Sequence, residues 1–171
     1  MPVRPATDSL DTALRLTRAH NAMAKQLDAA LANRHGVSYA DFQILLHLGA
    51  APNARLRRVD LAEALGLTAS GVTRGLGPLE RIGLVDREKD PRDARVAYAA
   101  LTETGRALLV EMTVSAEEVA ADWFTPNCST AEVATLSALL GALGGGGRPQ
   151  PGRAAGGSLD EQGDDEGRKR R

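Results

Sequence analysis

Residues 68–83 read TASGVTRGLGPLERIG. The pattern on either side demands a helix here, yet the stretch holds interior glycines at 71, 75 and 77 and a proline at 78. In a helix interior each glycine costs about 1 kcal/mol relative to alanine, and a proline about 3. At about 100° per residue, Val72, Leu76 and Leu79 fall on one side as a narrow apolar stripe. Ser70, Thr73, Arg74, Gly77 and Arg81 gather on the opposite side. That face is small, polar and basic, unlike the Glu/Lys mixture of an ordinary solvated helix. Gly75 lies at the edge of the apolar stripe, where a missing side chain lets another helix approach closely. Gly77 lies on the exposed face, where it lets a rigid surface come near. Pro78 cannot donate to the carbonyl of Arg74, so a bend or irregularity is expected in the second half of the helix. Burying the three apolar side chains returns several kcal/mol at about 25 cal/mol per Å2, which offsets much of the propensity penalty.

Working outward, Thr68 is the N-cap of this helix, and a short helix, Val59 to Leu65, precedes it and stops at Gly66. Downstream, LVDREKDPRDARVAYAAL reads as a hairpin. Leu84 to Glu88 and Arg95 to Leu101 are strand-like, joined by the charged tip at residues 89–93. Further upstream, Ser38 and Asp41 have capping-box spacing and open a helix from Tyr39 to Leu48, closed by Gly49 and Pro52. The short basic stretch Asn53 to Arg58 leaves room for a brief strand at Leu56. A first helix covers Leu10 to Leu31, striped by Leu16, Met23, Leu27 and Ala30, with His20 in the same row. After the hairpin, Thr102 caps a helix reaching Trp123, with Leu108, Leu109, Met112, Ala116 and Val119 on one side. Pro126 ends it. Ser129 and Glu132 then form a full capping box before a last helix striped by Val133, Leu136, Leu140 and Leu143. From Gly144 to Arg171 the chain turns to glycine, proline and mixed charge, which reads as a disordered tail.

The bulk composition limits the function classes. The chain has 171 residues, 43% hydrophobic and 25% charged, enough for one domain with a real core and an appendage. Its net charge of −1 advertises no global affinity for nucleic acid, so any such site must be local. Aromatics at 3% leave the core to Leu, Val and Ala, which favours helices. The single cysteine, Cys128, excludes an intramolecular disulfide and a cysteine-based zinc cluster. No apolar run is long enough for a signal peptide or a membrane span, so a cytoplasmic protein without a membrane partner is expected.

A short helix, a turn, a second helix and an adjoining basic hairpin together spell a winged helix-turn-helix. In such a unit the first turns of the second helix enter the major groove of double-stranded DNA, where hydroxyls and arginines meet phosphates and base edges. Arg92 and Arg95, on the hairpin, suit a narrow, electronegative minor groove. The span from Asp60 to Leu109 resembles the multiple antibiotic resistance regulator (MarR) family of bacterial transcription factors. The matching pieces are Leu61-Ala62, Leu67-Thr68, Ser70, Val72-Thr73-Arg74, Leu79-Glu80, Gly83-Leu84-Val85, Asp93 with Arg95, Leu101-Thr102 and Gly105-Arg106. The helix order on either side also matches, from about Leu10 to Leu143.

The resemblance implies a mainly α fold with a small β-wing, made of a winged helix-turn-helix domain (residues 38–102) and a helical dimerisation region (residues 10–35 and 103–143). It implies a homodimer, a repressor binding a pseudo-palindromic operator through the recognition helix at 68–82 and the wing at 84–101, and release by a small-molecule effector bound in a cleft between the two regions. Carried over by position, Ser70, Thr73 and Arg74 are groove-helix contacts and Asp93 with Arg95 is the wing motif. Arg81, from its place on the basic face, and Arg92, from its place at the tip, complete the expected DNA-binding set. The family's usual pattern has a larger polar residue where Gly77 stands, which weakens the case for base contact from that turn.

No enzyme is expected. There is no Ser/His/Asp arrangement of recognised spacing, no H-E-x-x-H and no phosphate-binding glycine loop. Two other readings stay open: a winged helix used only for protein contacts, and a redox-responsive regulator using Cys128. Relatives that sense peroxide carry a cysteine near the start of the first helix, and none stands there. His20, His35 and His47 fall in separate elements without ligand spacing, so neither metal nor cofactor is expected.

Overall fold

A computed structural model describes residues 8–89 and 96–143. Of the charged tip expected at residues 89–93, Lys89 belongs to the first strand of the hairpin; residues 90–95 and the tail from Gly144 to Arg171 lie outside the described residues. In chain order the elements are α1 (Asp8–His35), α2 (Tyr39–Ala50), β1 (Arg55–Arg57), α3 (Arg58–Leu65), α4 (Ala69–Arg81), β2 (Val85–Lys89), β3 (Ala97–Leu101), α5 (Glu103–Phe124) and α6 (Thr130–Leu143). The strands form one antiparallel sheet in the order β1-β3-β2, so the brief strand expected at Leu56 adds to the hairpin as its third member. The result is the mainly α fold with a small β-wing that the sequence implies.

Local chemistry sets the element ends. Ser38 accepts a hydrogen bond from the backbone N–H of Asp41, whose carboxylate accepts in turn from the N–H of Ser38, closing the box that starts α2. Gly66 takes the left-handed conformation (φ 63°) that only glycine adopts freely, and it stops α3. Thr68 accepts from the N–H of Gly71 at 3.1 Å and starts α4. Thr102 is a junction. Its hydroxyl bridges to the carbonyls of Gly83 (2.8 Å) and Leu84 (3.1 Å) and accepts from the N–H of Gly105 (2.9 Å). One side chain thus ties the end of β3 and the start of α5 to the turn after α4.

The core lies between the C-terminal part of α1, α2, α3, α4, the sheet and the middle of α5. Leu31, Leu45, Leu48, Leu61, Val72, Leu76, Leu79, Val85 and Met112 are all fully buried within it. In the first and last described helices the same residue types find no cover among the described residues. Leu10, Leu14 and Leu16 of α1 are exposed, as are Leu136, Leu139, Leu140 and Leu143 of α6. No residue of α6 is buried. Of the stripe expected on α1, only Leu27 is buried, and Leu31 joins it, because α5 covers only part of α1.

One local expectation is corrected. Gly49 does not close α2, which continues to Ala50. A β-carbon on Gly49 would meet the Leu109 side chain at 2.5 Å, so this glycine makes room for α5 rather than ending a helix. Pro78 stands inside α4, which runs as one helix from Ala69 to Arg81. Proline forfeits a single bond there, and Leu76 and Leu79, buried on either side of it, hold the backbone in place.

Candidate nucleic-acid interface

The surface begins with the arrangement of α3, the Gly66–Leu67 turn and α4. The N–H of Leu67 donates to the carbonyl of Ala62 at 2.9 Å, so the turn folds tightly back on α3. From there α4 buries Val72, Leu76 and Leu79 and turns its other side outward. A β-carbon on Gly75 would lie 2.8 Å from the tip of Ile44. The close helix approach expected at this position is therefore real, and α2 is the helix that makes it.

Ser70, Thr73, Arg74 and Arg81 are all exposed, and a shallow depression is lined by Ala69, Ser70, Thr73 and Arg74. The Thr73 hydroxyl donates to the carbonyl of Ala69 at 3.0 Å, which orients the oxygen and leaves its lone pairs to accept. Among the described residues, neither Arg74 nor Arg81 takes part in an ion pair. Gly77 has nothing within 4 Å of where a β-carbon would stand, so its side of the helix is open space. The structure thus brings four of the expected site residues onto one helix face. Arg92, Asp93 and Arg95 lie outside the described residues.

At the base of the wing the sheet carries charges that sequence reading registered only as a short basic stretch. Strand register puts Arg55, Arg57, Glu88 and Tyr98 on the outward face. The Arg55 guanidinium sits 4.9 Å from the centre of the Tyr98 ring and pairs with Glu88 at 3.0 Å. Arg57 donates twice to Asp60, at 2.6 and 2.7 Å. Those hydrogen bonds, and the carboxylate charge behind them, push the Arg57 pKa up further. On β2, Arg87 and Lys89 are exposed two residues apart, beyond the edge of the core. Alternation along β1 and β2 is the signal that finds these residues once the pairing is known.

The remaining titratable residues do not assemble into a second site. His35 is the last residue of α1, not part of a separate element, and it shares a 2.9 Å hydrogen bond with Ser115 of α5. His20 is exposed on α1 and His47 lies on α2. No group of His, Cys, Asp or Glu that could hold a metal occurs among the described residues. Cys128 is half-buried in the turn between α5 and α6. No helix among the described residues is long and apolar enough to cross a membrane.

Comparison with known proteins agrees with this geometry. A family model described as the MarR family matches residues 35–96, which hold α2 to α4 and the first strand of the hairpin, β2. Over those residues the chain is similar to the MarR family. It is 31% identical over 94 residues to the transcriptional regulator AdcR of Streptococcus pneumoniae, a match covering 52% of this chain and 64% of that one. It is 35% identical over 75 residues to YkoM of Bacillus subtilis, described as an uncharacterised HTH-type transcriptional regulator, covering 44% and 47%. The chain therefore spans less than two thirds of the length of these curated relatives. Solved structures cover more of it. A MarR family transcriptional regulator from Streptomyces coelicolor, solved in complex with DNA, superposes with a TM-score of 0.74 at 24% identity, over 90% of this chain and 96% of that one. A probable transcriptional regulator from Pseudomonas aeruginosa gives 0.66 at 27% identity, over 80% and 97%.

Proposed function

We propose that this chain is a DNA-binding transcriptional repressor of the MarR type. Two copies bind a pseudo-palindromic operator, each laying α4 in the major groove and its wing beside the minor groove, and a small-molecule effector releases them. The observation that carries the reading is the outward face of α4. Two arginines and two hydroxyls are exposed there, and neither arginine is neutralised by a carboxylate among the described residues. On an otherwise slightly acidic chain, such a face is a local site for phosphates and base edges.

Ser70, Thr73, Arg74 and Arg81 are assigned to the groove helix. Asp93 and Arg95 are assigned to the wing by resemblance, and Arg92 by its place at the hairpin tip. Residues 38–102 act as the DNA-binding domain, and residues 10–35 with 103–143 as the dimerisation region. The exposed leucines of α1 and α6 support that division, since apolar faces of this size on a monomer mark an interface. The S. coelicolor relative solved with DNA supports the choice of partner. The protein acts in the cytoplasm without cofactor or catalysis.

A gel-shift assay tests the reading, using the intergenic DNA next to the protein's own gene and a scrambled duplex of equal length. Retardation of the first at protein concentrations that leave the second free is expected. Equal binding to both, or binding to neither at micromolar protein, overturns it and leaves a winged helix for protein contacts.

A further inference from the structure

Among the described ion pairs, one stands apart. Arg58 of α3 pairs with Glu80 of α4, and their side chains are 18% and 29% exposed. Every other described pair has both partners at 37% exposure or more. The Arg58 Nε is also buried without a hydrogen-bond partner among the described residues. A half-buried pair that leaves a donor unmet is a poor stabiliser, because desolvation consumes most of the Coulombic gain. Its position in the fold suggests what it does instead.

Arg58 is the first residue of α3, and Glu80 lies in the last turn of α4. The opposite ends of the two helices are joined by the Gly66–Leu67 turn and its hydrogen bonds. Leu61, Val72, Leu76 and Leu79 fill the space between, and apolar packing alone tolerates sliding and rotation. A charged hydrogen bond at the open end does not. On the helical wheel Glu80 falls between the buried stripe and the basic face, four residues after Leu76 and three after Gly77. Unpaired, its carboxylate would stand beside the surface offered to phosphates.

We propose that the Arg58–Glu80 pair is a positioning device. It locks the rotation and crossing angle of α4 against α3, and so sets how the α4 face meets DNA, while neutralising the one acid at the edge of that face. The proposal rests on the DNA-binding reading for its consequence, but the brace itself is a property of the free protein.

The test compares wild type, Glu80→Gln, and the charge swap Arg58→Glu with Glu80→Arg. Fluorescence anisotropy on operator and scrambled duplexes reads affinity, and hydrogen exchange on the free protein reads the C-terminal amides of α4. For Glu80→Gln, operator affinity should fall about tenfold, the worth of roughly one good base contact. Affinity for scrambled DNA should hold or rise, because a negative charge has gone. The amides from Leu79 to Ile82 should lose protection, and the charge swap should restore part of both effects. If Glu80→Gln tightens binding to both duplexes equally with exchange unchanged, Glu80 acts only through its charge and the proposal is overturned. A lower Tm with unchanged discrimination overturns it too, since stability alone is then at stake. If wild type fails to discriminate between the duplexes, the DNA-binding reading falls, and the exchange data alone decide the brace.

Discussion

Arg74 and Gly105 carry opposite burdens, one exposed and chemical, the other buried and steric. Arg74 touches no carboxylate among the described residues, so its loss should cost the fold nothing. On the DNA-binding reading, Arg74→Ala should weaken operator binding by about 1–3 kcal/mol and reduce discrimination against scrambled DNA, with Tm unchanged. Anisotropy across a salt series checks this, and unaltered operator affinity would remove the groove-helix assignment. At Gly105 a β-carbon would stand 2.1 Å from the carbonyl oxygen of Leu84 and 2.8 Å from the Leu101 side chain. That carbonyl already accepts from the N–H and hydroxyl of Thr102. Gly105→Ala must therefore part α5 from the turn before β2, and overpacking of this kind costs about 3 kcal/mol. Thermal unfolding should show a drop of several degrees, and a Tm equal to wild type would refute the packing argument.

At the level of single elements, α6 is the informative case, because it has a good start yet none of its residues is buried among the described residues. The Ser129 N–H and hydroxyl both donate to the Glu132 carboxylate at 2.8 Å, and together they hold its pKa below the usual value. A carboxyl whose folded pKa is depressed adds stability above its unfolded pKa and loses that stability as pH falls through the folded one. The N-terminus of α6 should therefore fray on acidification below about pH 4.3, the ordinary glutamate value. Ser129→Ala should return the Glu132 pKa toward that value, as read by carboxyl carbon NMR shifts. An unmoved pKa would mean that the capping box does not persist in solution. The helix α4 shows the converse. Its intrinsic propensity is poor, and it persists because Val72, Leu76 and Leu79 are buried.

For the molecule as a whole, the unbalanced feature is the apolar surface at its two chain ends. Fully burying an exposed leucine is worth about 1.5–3 kcal/mol, so covering the partly exposed leucines of α1 and α6 favours association. Sedimentation equilibrium at micromolar concentration should give twice the 18.0 kDa chain mass. Replacing Leu136 and Leu140 with Glu should yield a monomer that keeps the melting of its buried core but binds operator much more weakly, because one half-site contact alone survives. A wild-type monomer would leave the exposed leucines without a role and would overturn the proposed division of the chain.

Capping boxes at Ser38 and Ser129, the Gly66 stop and the apolar stripe of α4 were all legible in one dimension, because each depends on residues within four positions of one another. The same holds for the basic face of α4, which follows from helical period alone. Long-range partners were not legible. Nothing local says that Gly49 and Gly105 make room for neighbours, since the atoms they would strike belong to Leu109 and Leu84 on other elements. Glu80 stood out in the sequence only as a piece of a motif, and Arg58 only as one of a basic run. The pairing of these two residues, 22 positions apart, appears only when α3 and α4 are packed. Local pattern decides which elements form and which face each one hides. Which backbones meet, and which charges lose their water, depends on packing between residues far apart in the chain.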